Sequence, residues 1–280
     1  MAADSPQLPS ETAVGRVALT VTDCDRATEF YTETVGLAVR TRDDDRVVLG
    51  DGETPLLELH ADPDAPERGA NETGLYHFAV RVPSRTALGA ALERIERTAR
   101  LDGASDHHVS EALYLTDPEG NGVEIYRDRP RTQWEEHDDG TVRMGTDRLD
   151  RAGVEGASDG ASSVPVGTDI GHVHLEVADL DATRSFYADG LGMTLRATAP
   201  GACFFAAGSY HHHVGANVWH ARSGPGEGRG VAWYELRVPE GALEEVRRRL
   251  SESGYDSESA GEGFVTTDPA GIRVRIQPSR

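Results

Sequence analysis

The chain has 280 residues, enough for two ordinary domains or one large one. Its 48 acidic residues face 28 basic ones, a formal net charge of -20, and every basic residue is an arginine. So negative a field repels nucleic acid, and no apolar run approaches the ~20 residues of a membrane span.

Strong acidity without lysine points to adaptation to high salt, because at ~1 M the Debye length is roughly 3 Å and self-repulsion is screened. Cys24 and Cys203 stand far apart with no CxxC spacing and read as reduced packing residues. Residues 1–12 are polar and acidic, with neither a basic nor an apolar leader segment, which places the protein in the cytoplasm.

Taken in chain order, the first element is Arg16-Val-Ala-Leu-Thr-Val-Thr-Asp23, which alternates with the period of a strand. A helical stretch follows, ending at Phe30-Tyr31, then Gly36-Leu37 and another apolar segment. Gly74-Leu-Tyr-His-Phe-Ala-Val-Arg-Val-Pro83 opens a second such unit, with a helix predicted over 87–99 and an Asp117-Pro-Glu-Gly120 turn before a last strand. Residues 131–169 are rich in Asp, Gly and Ser, and their middle, 153–163, reads as a linker. The pattern then recurs about 156 residues on, from His172-Val-His-Leu-Glu-Val-Ala-Asp179 through Phe186-Tyr187 to Leu191-Gly192. A fourth unit runs from Gly230-Val-Ala-Trp-Tyr-Glu-Leu-Arg-Val-Pro239 through a helix over 242–251 to Asp268-Pro-Ala-Gly271. The chain therefore divides into four modules, each a strand, a helix and about three strands. Modules 1 and 2 form an N-terminal domain over 13–130, residues 131–169 connect, and modules 3 and 4 form a C-terminal domain over 170–280.

The differences between copies locate the chemistry. At the first-strand position the modules carry Arg16, His77, His172 and Trp233 in turn; in the last strand, module 2 has Glu124 and module 4 has Arg275. The corresponding positions of modules 1 and 4 are expected to hold groups that cannot bind a cation. Glu124 lies in the apolar stretch Val123-Glu-Ile-Tyr126, where an unpartnered carboxylate is costly and a metal is a natural partner. Two imidazoles and one carboxylate leave coordination positions open, a set that favours Fe(II) oxygen chemistry and also accepts Mn(II). His174 shares the strand face of His172 and is an alternative ligand, but the module repeat aligns His172 with His77. In the run His211-His-His213, read as part of a strand over 210–219, alternation turns His211 and His213 away if His212 faces the metal. His107, His108 and Tyr114 complete the candidates: a histidine near a bound diol relays protons, and a tyrosine hydroxyl hydrogen-bonds an oxygenated intermediate.

Thr73-Gly-Leu-Tyr-His-Phe-Ala79, Gly103-Ala-Ser-Asp-His-His-Val-Ser-Glu-Ala-Leu-Tyr114, Asp117-Pro-Glu-Gly-Asn-Gly-Val-Glu-Ile-Tyr126, Ile170-Gly-His-Val-His-Leu175 and Tyr210-His-His-His-Val-Gly-Ala-Asn217 together resemble the vicinal oxygen chelate superfamily, also called the glyoxalase/bleomycin-resistance/dioxygenase group. Within it they are similar to the bacillus-type catechol 2,3-dioxygenase branch. The resemblance covers almost the whole chain apart from the first dozen residues and the linker. It implies an α+β fold of four βαβββ modules, paired into two curled mixed-sheet half-barrels around a metal. It implies an extradiol dioxygenase that opens a catechol-type ring beside the diol with O2, giving a muconic semialdehyde. His77, His172 and Glu124 match the iron(II) ligands, His212 the acid–base histidine, His107 the substrate-contacting histidine and Tyr114 the conserved tyrosine. A homo-oligomer is compatible with this reading.

The sequence departs from the better-known extradiol enzymes, which keep all three ligands in the second half of the chain. Here the ligands are split, so modules 2 and 3 must share a sheet while 1 and 4 pair separately. Two alternatives stand beside this one. A glyoxalase-like isomerase or lyase would use a fourth protein ligand, expected near 217–219, where no carboxylate lies. A metal-free small-molecule-binding protein of the same fold would need no ligands at all.

Overall fold

A computed structural model describes residues 7–226 and 228–279; the acidic stretch at 1–6, part of the N-terminal reading above, lies outside them. Module 1 comprises β1 (Ala13–Val21), α1 (Cys24–Phe30), β2 (Ala38–Arg42), β3 (Arg46–Gly50) and β4 (Pro55–Ala61). Module 2 comprises β5 (Gly74–Arg81), α2 (Arg85–Thr98), β6 (Gly103–Asp106), β7 (Ser110–Thr116) and β8 (Gly122–Asp128). After β9 (Asp147–Arg148) and α3 (Arg151–Glu155), module 3 runs through β10 (Asp169–Glu176), α4 (Leu180–Arg184), β11 (Thr194–Ala199), β12 (Ala202–Ala206) and β13 (Val214–Asn217). Module 4 is β14 (Gly230–Val238), α5 (Leu243–Glu252), β15 (Ser257–Ala260), β16 (Gly263–Thr267) and β17 (Arg273–Pro278). Every module is βαβββ.

Apart from α5, the helices begin where a side chain can satisfy their first amides. Asp23 accepts from the Arg26 N–H, Ser84 from that of Ala87, and Asp179 from those of Asp181 and Ala182. In modules 1 and 3 the helix passes into a π-helical turn, Tyr31–Val35 and Ser185–Gly190. This is where the repeated Phe-Tyr pair acquires its meaning. Tyr31 donates to Asp117 at 2.7 Å and Tyr187 to Asp268 at 2.9 Å. The tyrosine of one module thus closes the Asp-Pro turn of the next, fully buried, in both halves of the chain.

The sheets are built the other way. One has the order β15-β16-β17-β14-β1-β4-β3-β2 and the other β11-β12-β13-β10-β5-β8-β7-β6-β9. Modules 1 and 4 meet along the antiparallel seam β1–β14, and modules 2 and 3 along β5–β10. This is the pairing that the split ligands require. Helix faces and inner sheet faces feed one continuous apolar cluster that draws on all four modules, including Val17, Phe78, Leu175 and Leu236.

The connection at 131–169 is structured. β9 adds to the edge of the second sheet against β6, α3 packs on α2, and Val154 is fully buried. A short apolar residue amid Asp and Gly gives little periodic signal, so composition alone reads the segment as a tether. No helix among the described residues is long and apolar enough to cross a membrane.

Candidate metal centre

The register of each module aligns its last strand against its first. In the parallel pairs, Ala18 faces Glu58, Ala79 faces Glu124, His174 faces Gly215 and Glu235 faces Arg275. Two residues before these lie Arg16, His77, His172 and Trp233. The four modules can therefore be compared position by position.

In the sheet of modules 2 and 3, one ligand atom each from His77, Glu124 and His172 lie within 4.8 Å of one another. His77 Nε2 is 3.0 Å and His172 Nε2 3.1 Å from the same oxygen of Glu124. All three residues are buried, and His77 Nε2 has no geometrically sound hydrogen bond despite its short contact. Burial drives the Glu124 carboxyl up, but His172 first and then His77 reverse this and hold it well below the usual range. His172 is pushed down to about 4 by burial, with Glu124 opposing. The cluster thus holds a buried carboxylate whose ionised form its two imidazole neighbours favour.

His174 faces the same cavity, its ring 5.0 Å from that of His77, but its Nε2 accepts from the Asn217 amide at 3.1 Å. Gly215 explains how that ring fits. A Cβ there would come within 3.0 Å of it, so the position equivalent to Glu124 in module 3 is kept bare. The position expected at 217–219 for a fourth carboxylate is therefore Gly215, and β13 offers none. Gly171 is constrained too: a Cβ would fall 1.7 Å from the Tyr126 hydroxyl.

His107 and Tyr114 come together at the cavity edge. His107 Nδ1 contacts the Gly145 carbonyl at 2.7 Å and Nε2 the Tyr114 hydroxyl at 2.6 Å. The carbonyl only accepts, so His107 donates to it from Nδ1, a tautomer that leaves Nε2 to accept from the Tyr114 hydroxyl. Burial, and then the charge of Glu124, push the Tyr114 phenol well above its ordinary range. His108 points elsewhere, to Asp147 at 2.7 Å.

The histidine run is not a strand. β13 starts at Val214, and 211–213 form the bend before it, so strand alternation does not govern these three residues. All three are buried. The His212 ring lies 4.1 Å from that of His172 and lines the cavity. His211 does not turn away as expected: its Nδ1 meets His212 Nδ1 at 2.7 Å and its Nε2 meets Asp128 at 3.0 Å. Burial lowers the His211 imidazole, with Asp128 opposing. His213 stacks on Tyr210 and its Nδ1 accepts the Ala207 N–H at 3.2 Å.

The sheet of modules 1 and 4 corrects one expectation. Module 1 does hold a carboxylate, Glu58, at the position of Glu124, and it is as deeply buried. Its environment differs. Arg16, standing where His77 stands, ion-pairs with Glu58 and reaches Glu235 at 3.0 Å, while Arg46 adds a contact to Glu58 at 2.9 Å. Arg275 lies 3.8 Å over the Trp233 ring. Burial raises the Glu58 carboxyl, yet His60 and the two arginines bring it down to about 2. Glu58 escaped the sequence comparison because module 1 lacks the Asp-Pro-x-Gly turn that marks the last strand in modules 2 and 4.

A cavity of about 770 Å3 opens on the His77–Glu124–His172 cluster, with Val142 and Met144 of the connecting segment in its wall. The residues fit a divalent metal: a buried carboxylate with no arginine beside it among the described residues, two imidazoles on the same carboxylate oxygen, and free volume on one side.

Comparison with known proteins agrees with this architecture. A catechol-2,3-dioxygenase of Bacillus subtilis (strain 168) is 39% identical over 271 residues, covering 92% of this chain and 94% of that protein. A solved protein from Bacillus subtilis subsp. subtilis str. 168 shares the fold with a TM-score of 0.69 at 13% identity, covering 98% of this chain and 87% of its own. Glyoxalase I from Zea mays does so with a TM-score of 0.58 at 15% identity, covering 96% and 92%. The family described as the Glyoxalase/Bleomycin resistance protein/Dioxygenase superfamily matches residues 13–125 and 169–276. Those two stretches cover modules 1 and 2 and modules 3 and 4, and the chain belongs to that superfamily.

Proposed function

We propose that the protein is a non-haem iron extradiol dioxygenase that cleaves a catechol-type ring with O2. The observation that carries this reading is the contrast between two equivalent carboxylates. Glu58 is buried against arginines, whereas Glu124 is buried against histidines beside a cavity. A charge that the fold neutralises in one sheet is left for a cation in the other.

His77 and His172, rather than His174, would hold iron(II) through Nε2, and Glu124 through a carboxylate oxygen; Mn(II) fits the same donors. Bound iron would supply the redox chemistry that joins a diol to dioxygen. With Gly215 bare, no second carboxylate among the described residues joins His77, Glu124 and His172, which favours oxygen chemistry over a glyoxalase-like isomerisation. His212 would accept the proton of a substrate hydroxyl and return it later. His107 would hold Tyr114 in place at the cavity wall, since both of its ring nitrogens are engaged.

The acidic, lysine-free surface supports a salt-rich cytoplasm as the setting, as do the two free thiols.

The test is to purify the chain anaerobically in molar salt, assay metal, and add catechol with oxygen. We expect about one iron per chain, a yellow ring-cleavage product, and loss of both in His77→Ala. Bound metal without oxygen uptake would replace this reading with the isomerase; no metal even after reconstitution would leave a binding protein.

A further inference from the structure

We propose that His211 is a positioning residue that, anchored on Asp128, fixes the tautomer of His212 and so leaves the Nε2 lone pair of His212 as its one free ring nitrogen. The inference rests on the reading of His212 as the proton-transfer group.

The geometry forces the assignment link by link. Asp128 is an acceptor held from three sides: Arg81 donates at 3.1 Å, the Tyr210 hydroxyl at 3.1 Å, and His211 Nε2 stands 3.0 Å away. Tyr210 is itself fixed by the Tyr126 hydroxyl at 2.7 Å. A carboxylate flanked by a guanidinium has no proton to give, so His211 must donate from Nε2. A neutral imidazole has one donor and one acceptor, which makes His211 Nδ1 the acceptor. His212 Nδ1, at 2.7 Å, must then carry the hydrogen between them. The only remaining nitrogen of His212 is Nε2, and it is left as a base.

His211 cannot readily rearrange. Its side chain is fully buried, packed 4.1 Å from the Tyr210 ring and 5.2 Å from Trp134. Without it, His212 would have no partner at Nδ1 among the described residues and would be free to place its proton on Nε2, where it could not accept another. His211 itself does not line the cavity, so it acts only through His212.

The experiment is nitrogen-15 spectroscopy of histidine-labelled full-length chain, loaded with diamagnetic Zn(II), at about pH 8, above the ordinary imidazole range. We expect the His212 hydrogen on Nδ1. In His211→Phe it should move to Nε2, and kcat of the iron-loaded enzyme should fall about tenfold or more with KM changed less than about twofold. His211→Asn, whose amide oxygen falls near the position of Nδ1, should restore the Nδ1–H tautomer and most of kcat. An Nε2–H tautomer in the wild-type protein overturns the proposal, as does a His211→Phe enzyme with unchanged tautomer and kcat. The wild-type spectrum decides even if a variant fails to fold. The expected tautomer with no catechol cleavage would sink the dioxygenase reading alone; cleavage with the opposite tautomer would sink this inference alone.

Discussion

Glu124 and Glu58 occupy one position in two copies of a module, and their neighbours decide what each does. Glu124 sits between His77 and His172, and these two imidazoles hold its carboxyl well below the usual range, so its charge is supported even in metal-free protein. Glu124→Gln should therefore weaken metal binding at least about a hundredfold and also cost the metal-free chain roughly 1 kcal/mol in denaturant unfolding. Unchanged metal affinity in the variant would mean that Glu124 is a structural hydrogen-bond partner of the histidines and not a ligand. The clustering of His77, Glu124 and His172 was legible in the sequence because the repeat sets unlike residues at like positions. His211 was not, because a run of three histidines looks like a strand until the bend before β13 is seen. Side chains in a bend follow no period, so the His211–His212 contact has no sequence signature.

At the scale of elements, the two sheets have the same order of module strands, apart from β9 at one edge, and a different centre. In the β1–β14 seam the guanidinium of Arg16 bridges Glu58 and Glu235, both almost wholly buried. Arg16→Met removes that bridge and strands two carboxylates, of which only part is compensated by Arg46 and Arg237. The expected loss is about 3 kcal/mol in chemical unfolding, with the metal content of the other sheet unchanged. A loss below about 0.5 kcal/mol would show that Arg16 behaves as an exposed surface pair. The βαβββ order of every module was readable from alternation, helix spacing and the Asp-Pro turns. The partner of each module was not readable from its own residues. It followed only from requiring His77, Glu124 and His172 to meet, a constraint imposed by chemistry and not by local propensity. The structured connection at 131–169 was missed for the opposite reason: β9 is two residues long, and α3 is five, too short for either period to register.

For the whole molecule the dominant quantity is charge. With -20 spread over 280 residues and no lysine, self-repulsion opposes compaction in dilute buffer. Raising KCl from ~0.1 to ~1 M should shorten the Debye length from about 10 to about 3 Å and raise Tm by roughly 5 °C or more. A midpoint that stays level or falls over that range would remove the case for salt adaptation. The many Arg–carboxylate pairs on the surface set the opposing trend, since salt screens attraction as well as repulsion, but exposed pairs contribute little each.

The crossed pairing of modules also carries a history. Modules 1 and 3 are alike, as are 2 and 4, and each sheet joins one of the first kind to one of the second from the other half of the chain. A chain of two modules could close neither sheet alone, whereas two such chains related by a twofold axis would close both and hold identical centres at the junctions between subunits. In a single chain the two centres are free of that symmetry. One could then keep its histidines while the other took up an arginine, a division of labour that no symmetric dimer can make.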